Sequence, residues 1–325
     1  MSEDNVFVEM TNEEYHAHPA MGSSDVRKLM RSPLHLRGHE EPAVRPPHFV
    51  FGSAVHAGYL EPEEFVKAYQ PKPAEIDGKG PRTTYYKDWM KAQPQDVNWM
   101  TMEDYDKALN CIDAALNHPV TSEVFKGEPK IEGSLFFTLH GVECKARPDL
   151  VSFHEDGVDV LDLKTTTDAS PAGFRSTLGK LQYHIQEWFY RQALEKAGLK
   201  VNRFLFLCVE KAPPYATAAY VVDDDDVRGA GEEVEKALLT YKDCVHQDRW
   251  PGYAEEVMEV SLPPWKSPRK AGPNGTWLTV KQVMSHYGMS RSSVYNWMHR
   301  GIENKKWKGK RMISASSLEK GLGGE

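Results

Sequence analysis

The fold is decided by residues 147–164, which read RPDLVSFHEDGVDVLDLK. Two β-like runs rich in Val, Leu and Phe flank Asp156-Gly157, a turn signal typical of a β-hairpin. An antiparallel hairpin brings Asp149, in the first run, alongside Asp162, at the end of the second. Because residues i and i+2 of a strand share a face, we expect Lys164 to project together with Asp162.

These side chains predict a metal site. Asp149, Asp162, the carbonyl oxygen of Leu163 and water are hard oxygen ligands suited to Mg²⁺ or Mn²⁺, and Lys164 remains to orient a water molecule or to stabilise charge on a phosphate. The tripeptide alone leaves a surface ion pair between Asp162 and Lys164 as the alternative. The apolar neighbours of Asp162 favour the metal site, since a carboxylate in such a strand is costly unless it is paired or metal-bound.

Further segments predict helices and strands around this hairpin. The polar stretch 70–98 has the composition of a long loop. We expect a helix from Ser23 or Ser24 to Met30, a helix opened by Thr101 and Asp104, strands at 130–139, 142–153, 158–164, 203–209 and 217–222, a helix at 179–196, and a long helix opened by residues 223–226. This order predicts an α/β fold with a mixed sheet.

Charge is distributed unevenly along the 325 residues. The chain carries 40 Lys and Arg against 47 Asp and Glu, and the net charge of −7 taken alone argues against a nucleic-acid partner. Residues 276–325, however, contain nine basic and three acidic residues, so this part carries +6 and the first 275 residues carry −13. Residues 251–275 hold five prolines and are typical of a linker. The predicted domains are therefore 1–250 and 276–325, joined by a linker at 251–275.

Several classes of protein are excluded by the sequence. The four cysteines have no CxxC spacing, so no zinc ribbon, disulfide framework or iron–sulfur cluster is predicted. Residues 204–209 form the longest apolar run and are too short to cross a bilayer, and residues 1–10 lack the apolar core of a signal peptide. We therefore expect a cytoplasmic protein without a membrane partner. Residues 173–181 have the wrong glycine spacing for a Walker loop, so ATP is not expected.

The motifs over residues 8–250 resemble the RecB-like branch of the PD-(D/E)XK nuclease superfamily. That branch carries an upstream histidine, an aspartate, a D/E-x-K tripeptide and a QxxxY helix motif, which match His56, Asp149, Asp162-Leu163-Lys164 and Gln186 with Tyr190. A closer similarity, to RecE-like phage exonucleases, lies in 10–15 (MTNEEY), 23–25 (SSD), 32–35 (SPLH), 147–149 (RPD) and 162–166 (DLKTT). The resemblance implies a restriction-endonuclease-like core.

The resemblance implies roles for the residues of the hairpin. Asp149 and Asp162 would ligate Mg²⁺, with Mn²⁺ as a substitute, and the carbonyl of Leu163 would be a further ligand. Lys164 would orient the attacking water or help to deprotonate it.

It also implies roles for residues outside the hairpin. His56 would complete the metal shell or touch the phosphate; the alternative is a buried structural histidine. Gln186 and Tyr190 lie one helical turn apart, so they can together contact the DNA end or the active-site loop. Glu132 is a further candidate for an acidic metal ligand, with a solvated strand residue as the alternative.

The basic C-terminal part resembles the small winged helix-turn-helix domains of phage excisionases and MerR-type regulators. A helix from about 280 to 286, a turn at 287–289 and a helix capped by Ser290 are expected, followed by a basic hairpin at 307–312. This resemblance places six side chains in the major groove and three on phosphate: Arg291, Ser292, Ser293, Tyr295, Asn296 and His299, and then Lys308, Lys310 and Arg311. The alternative is a helical hairpin that binds protein.

Together the resemblances imply a Mg²⁺-dependent DNA exonuclease. It would resect linear duplex ends 5′ to 3′ and leave 3′ single strands for a phage-type annealing protein in the cytoplasm of a bacterial host. Related exonucleases form rings, so a homo-oligomer is an open expectation. The alternatives are a structure- or sequence-directed endonuclease of the same superfamily, and a non-catalytic DNA-binding regulator with a nuclease-like fold.

Overall fold

The computed structural model of the protein describes residues 6–38, 47–80, 82–94, 96–126, 129–254, 256–260, 277–307, 310–315 and 317–318. The chain forms two compact units, Met1–Glu255 and Glu256–Glu325. Most of the predicted linker, 261–275, lies outside the described residues, and the three-part division stays a prediction. Among the described helices none combines the length and the apolar character needed to span a membrane.

The elements alternate between helices and strands along the chain. The helices are α1 (Asn12–Ala17), α2 (Ser23–Arg31), α3 (Pro33–Arg37), α4 (Pro47–Leu60), α5 (Pro62–Ala68), α6 (Ala74–Asp77), α7 (Thr84–Ala92), α8 (Met102–Leu116), α9 (Pro119–Val124), α10 (Pro171–Leu181), α11 (Tyr183–Lys196), α12 (Asp224–Gln247), α13 (Val280–Tyr287) and α14 (Arg291–His299). The strands are β1 (Tyr69–Pro71), β2 (Asn98–Met100), β3 (Lys130–Ile131), β4 (Leu135–Leu139), β5 (Val142–Ala146), β6 (Leu150–His154), β7 (Gly157–Thr166), β8 (Val201–Glu210), β9 (Thr217–Tyr220), β10 (Trp277–Thr279), β11 (Asn304–Trp307) and β12 (Lys310–Ser314).

A five-stranded mixed sheet forms the centre of the first unit. Its strand order is β3-β6-β7-β8-β9, and only β7 and β8 are parallel. The parallel pair needs a crossover, which α10 and α11 supply between the two strands. The β6–β7 hairpin pairs Leu150 with Leu161, so the next residue outward on each strand is an aspartate, Asp149 opposite Asp162. The predicted α/β mixed sheet is confirmed.

Strand β7 divides its side chains between the two faces of this sheet. Leu161 and Leu163 are fully buried against α4 and α8, whereas Val158 and Val160 belong to the core on the other face, under α10 and α11. Asp162 follows the second set by the period of two and therefore points towards α11. Burial on both faces explains why β7 reads as an almost continuous apolar run.

Smaller elements cover the rest of the first unit. Strands β4 and β5 form a separate antiparallel pair that packs with α2, α11 and α12 in a third apolar cluster. Helix α12 begins after Asp223, whose carboxylate accepts the N–H of Asp225, as the acidic run predicts. Helix α8 is capped by Thr101, whose hydroxyl accepts the N–H of Asp104.

The second unit has its own core. Strands β10, β12 and β11 form an antiparallel sheet, and helices α13 and α14 pack on it around Leu278, Val283, Val294 and Ile313. Helix α14 is capped by the hydroxyl of Ser290, as expected. The assignment of this unit as a winged helix-turn-helix stays a prediction.

The prediction of a long loop over 70–98 was wrong. The segment contains α6, α7, most of β1 and the start of β2, and β1 pairs in parallel with β2. Ile76 is fully buried, and the rings of Trp89 and Trp99 contact edge to face at 5.0 Å. A few apolar anchors thus order a stretch whose average composition is polar.

Three predicted elements are each divided in two. The run 142–153 breaks at 147–149, so β5 pairs with β4 while β6 joins the central sheet, and Asp149 precedes its strand instead of lying inside it. The run 130–139 breaks at Glu132, which has φ of 45°. The helix expected at 179–196 is α10 and α11, separated by the left-handed Gln182. Long-range pairing, which local propensity does not encode, decides these breaks.

We expect Gly157→Ala to lower the free energy of unfolding by about 2–4 kcal/mol, because Gly157 has φ of 150° and an added Cβ would lie 2.4 Å from the carbonyl oxygen of Lys200. Gly198→Ala is the matched control: φ is 84°, but no neighbouring atom lies within 4 Å, so we expect a loss of about 1 kcal/mol. Urea denaturation of both variants checks this. Equal losses would contradict the steric argument.

Candidate active site

A buried carboxylate, an ammonium and an amide form a closed triangle between β7 and α11. Gln186 donates a hydrogen bond from Nε2 to Asp162 Oδ1 at 2.7 Å and accepts one from Lys164 Nζ at 3.1 Å. The Lys164 ammonium also contacts Asp162 Oδ2. Asp162 is fully buried, so its charge has to be compensated locally, and Lys164 and Gln186 provide a positive charge and a hydrogen bond. The geometry confirms that Asp162 and Lys164 share one face.

The second carboxylate lies at the edge of the hairpin. Asp149 Oδ2 accepts the backbone N–H of Leu163 at 2.8 Å, which ties the residue before β6 to the middle of β7. On the other side of the sheet, α4 directs His56 towards the same oxygen, with Nδ1 3.2 Å from Asp149 Oδ2. The imidazole of His56 also hydrogen-bonds the backbone of Leu163. Strand β7 therefore connects both halves of the site.

The electrostatics of Asp149 and His56 follow from their burial. Burial and the neighbouring Asp162 carboxylate raise the pKa of Asp149 well above its usual range. Burial and the Lys164 ammonium lower the pKa of His56. Both shifts oppose the charged forms, so burial works against a full ion pair between Asp149 and His56.

Glu132 extends the acidic group. Its backbone N–H donates to the carbonyl oxygen of Asp149 at 3.0 Å, and its positive φ turns the chain towards the site. Burial, Asp149 and Glu61 raise the pKa of the Glu132 carboxyl. The side chain is therefore not the freely solvated residue that the alternative interpretation described.

Lys164 remains charged in this environment. Burial acts to lower its pKa, but the carboxylates of Asp162 and Asp149 outweigh that effect and raise it. The ammonium also lies 4.7 Å from the centre of the Tyr183 ring, a cation–π contact. Tyr183 is a core residue that additionally positions this cation. A permanently protonated lysine acts as a donor and a positive charge.

The donor set suits a hard divalent ion. Two carboxylates, an imidazole and the Leu163 backbone carbonyl are ligands that Mg²⁺ and Mn²⁺ accept. In the described part of the chain no three His, Cys, Asp or Glu side chains form a ready metal cluster. The contacts give the reason: Asp162 faces Lys164 and Gln186, whereas Asp149 faces His56.

Comparison with known proteins agrees with this geometry. A family model described as "PDDEXK-like domain of unknown function (DUF3799)" matches residues 22–262, about three quarters of the chain. The chain belongs to this PDDEXK-like family.

The solved structure of a bacterial protein supports the fold of this PDDEXK-like protein. A protein of Eubacterium rectale described as "Putative exonuclease" is 15% identical, with a TM-score of 0.54; the match covers 79% of this chain and 97% of that one. The structure of SSO0001 is 14% identical over 56% of this chain and 84% of that one, with a TM-score of 0.24. The search of curated proteins found no match.

The PDDEXK-like site thus contains the residues predicted in the large domain. Tyr190 lies one turn beyond Gln186 on α11 and is hydrogen-bonded to it, and burial raises the Tyr190 pKa far above its usual value. The roles of these residues stay predictions.

The residues predicted to bind DNA fall into three groups in the second unit. Six are exposed: Arg291, Ser292, Tyr295, Asn296, His299 and Arg311. Ser293 is half-buried and its hydroxyl is bonded to Ser290 at 2.7 Å, so it serves the helix cap. Arg311 lies beside Asn304. Lys308 lies outside the described residues, and the backbone of Lys310 pairs with Trp307.

Sequence reasoning missed a buried ion pair next to the site. Glu187, adjacent to Gln186, is fully buried; its Oε1 accepts the Nε–H of Arg191 at 2.9 Å, and its Oε2 has no hydrogen-bond partner among the described residues. Burial raises the pKa of Glu187 to about 7, although Arg191 opposes the shift. The i,i+4 spacing from Glu187 to Arg191 was a signal that was available.

We expect Glu187→Gln to change how stability depends on pH. The folded protein retains this proton up to about pH 7, whereas the unfolded chain releases it near the usual pKa of 4.5. The free energy of unfolding of wild type, relative to the variant, should therefore fall by about 2 kcal/mol between pH 5 and pH 8. Denaturant titrations at several pH values check this, and parallel curves for the two proteins would contradict it.

Proposed function

We propose that this protein is a metal-dependent DNA nuclease that hydrolyses phosphodiester bonds, and that it acts as an exonuclease on linear duplex ends. The observation that carries the proposal is the group formed by Asp149, Asp162, Lys164 and Gln186, in which two carboxylates of one hairpin lie beside a fixed ammonium. Such a group matches hydrolysis of a phosphate ester better than simple DNA binding, since binding needs positive charge and no buried acids.

The metal would be held by Asp149, Asp162 and the carbonyl of Leu163, with His56 or Glu132 completing the set. Mg²⁺ is the proposed ion and Mn²⁺ its substitute. A divalent ion there supplies positive charge against the phosphate oxygens and the oxygens that attack and leave. Asp149, whose pKa burial raises, would have to release its proton in order to act as a ligand.

The chain's own residues then position the reactants. Lys164 is charged, so it holds the attacking water by donating a hydrogen bond and stabilises negative charge that develops on the phosphate. Gln186 fixes the ammonium and the Asp162 carboxylate in one arrangement. Tyr190, bonded to Gln186, keeps that amide from rotating. The positioning is provided before substrate arrives, which reduces the reorganisation that the reaction requires.

The finer parts of the proposal rest on the motifs of the large domain. The RecE-like motifs support 5′ to 3′ resection that leaves a 3′ strand for an annealing protein. The Eubacterium rectale protein of similar fold, described as a "Putative exonuclease", supports exonuclease action. An endonuclease differs in accepting circular DNA, and this difference is part of the test below.

We expect purified protein to release label from linear duplex DNA in Mg²⁺ and not in EDTA, and Lys164→Ala to lower the rate about 100-fold or more. Duplexes labelled at the 5′ or the 3′ end distinguish the polarity, and a closed circular substrate detects endonuclease action. Lys236→Ala, an exposed lysine on α12, is the control and should act like wild type. Equal release by wild type and Lys164→Ala would sink the nuclease assignment.

We further propose that the second unit binds DNA. Lys281, Arg291, Tyr295 and Arg311 line a groove of about 500 Å³. Three cations and an exposed aromatic ring around one groove have the composition of a nucleic-acid surface. The alternative, a protein-binding hairpin, does not need this concentration of positive charge.

The double variant Arg291→Ala/Tyr295→Ala should bind duplex DNA more weakly and with a less steep salt dependence, by about one unit of slope, because one phosphate contact is lost. Lys236→Ala, which removes one positive charge from α12 of the first unit, is the control and should leave affinity and salt slope unchanged. Fluorescence anisotropy over a series of salt concentrations measures both. Unchanged binding by the double variant would show that this groove is not a DNA site.

A further inference from the structure

Two basic side chains, Lys145 in β5 and Arg147 just after it, hold the N-terminal segment, residues 10–22, against the rest of the first unit. Lys145 Nζ donates to the carbonyl oxygens of Tyr15 and His18, the second at 2.7 Å. Arg147 donates from Nη2 to the carbonyl of Met10 at 3.1 Å. Both cations also lie over the Tyr15 ring, at 4.8 Å for the lysine and 4.2 Å for the arginine. The segment is therefore held twice.

The two cations differ in the hydrogen-bond donors that remain available for a further partner. Lys145 is 6% exposed and turns its ammonium towards main-chain carbonyls. Arg147 is half-buried, and its described contacts are all with neutral groups: the hydroxyl of Ser134, two carbonyls and the ring of Tyr15. These hydrogen bonds use Nε and Nη2 and leave the Nη1 edge for another acceptor. The guanidinium is thus fixed in orientation, and none of its described contacts is with a carboxylate.

Arg147 also lies at the corner of the acidic site. It precedes Asp149 by two residues, and its anchor Ser134 follows Glu132 by two. Glu132 and Asp149 are joined by a backbone hydrogen bond of 3.0 Å, so the arginine and both acids belong to one small region. The guanidinium acts to lower the pKa of Glu132, which is consistent with this proximity. A nucleic-acid strand bound at these acids would therefore lie in the same region as this cation.

We propose that Arg147, oriented by Tyr15 and Ser134, forms a phosphate-binding subsite that takes a phosphate group of the strand beside the one being cleaved. Nη1, which none of these hydrogen bonds uses, can donate to a phosphate oxygen, and the positive charge strengthens that bond. Because the hydroxyl, the carbonyls and the ring already fix it, little side-chain entropy is lost on binding. This inference rests on the proposed nucleic-acid substrate and adds a residue that positions it.

The test compares Arg147→Gln with Lys145→Met. Glutamine keeps an amide that can reach Ser134 but removes the charge, whereas Lys145→Met loosens the same segment without changing the surface that faces the site. Binding of duplex DNA is measured by anisotropy in EDTA over a series of salt concentrations, in the full chain and in the Arg291→Ala/Tyr295→Ala background so that the second unit does not mask the change. Thermal unfolding of each variant reports whether it is folded.

We expect Arg147→Gln to weaken binding about ten-fold and to reduce the salt slope by about one, while Lys145→Met lowers the melting temperature, leaves the salt slope unchanged and weakens binding much less. Arg147→Lys keeps a charge without the planar fork, so it should retain the salt slope and recover part of the affinity. Wild-type binding by folded Arg147→Gln would overturn the proposal. So would equal losses in Arg147→Gln and Lys145→Met, because the effect would then belong to the fastening of the segment.

Two further arms separate related outcomes. Duplexes with 5′-phosphate and 5′-hydroxyl ends distinguish the source of the phosphate: a loss only with the phosphorylated end assigns the terminal group, and equal losses assign an internal phosphodiester, both in support of the subsite. Binding in EDTA requires no turnover. Absence of hydrolysis in Mg²⁺ would therefore overturn the nuclease proposal while leaving the result for Arg147 to be judged by affinity alone.

Discussion

The buried carboxylate of Asp162 is the constraint on which the rest of the first unit depends. An unpaired charge in the middle of an apolar sheet face would cost several kcal/mol, so the side chain must be matched where it lies. Lys164, on the same strand, and Gln186, on the crossover helix, provide that match. Helix α11 therefore has to pack on β7 in the position and rotation that place Gln186 beside Asp162. The need to compensate the Asp162 charge therefore constrains how α11 packs on the sheet.

The opposite face of the sheet contributes His56, which contacts Asp149. Helix α4 packs on Leu161 and Leu163 and brings His56 to the edge, where Asp149 turns towards it. The site is thus assembled from two faces of one strand, and only the strand end gives access to both. Carboxylates placed this close repel each other and reduce the stability of the empty protein, a cost that natural sites bear in return for function.

The sequence predicts β7 well because a period of two, a turn signal and a run of apolar residues all agree there, and the QxxxY spacing places Gln186 and Tyr190 on one helical face. The break at 147–149 could not be predicted in the same way, because residues 142–153 read locally as one strand and only the partners β4 and β7 divide them. The contacts of Arg147 with Met10 and Tyr15 were missed for a related reason: they join segments more than a hundred residues apart.

The bend at 147–149 gives the protein a mechanical link between two distant parts of its chain. Arg147, at one end of the bend, donates a hydrogen bond to the N-terminal segment, and Asp149, at the other end, provides a carboxylate of the site. Ordering one end of this bend restricts the other end. Binding at either end therefore changes the binding free energy at the other by the same amount. Occupation of the active site should for this reason strengthen the attachment of residues 10–22, and a partner that pulled this segment away would reduce the affinity of the site for its ligands.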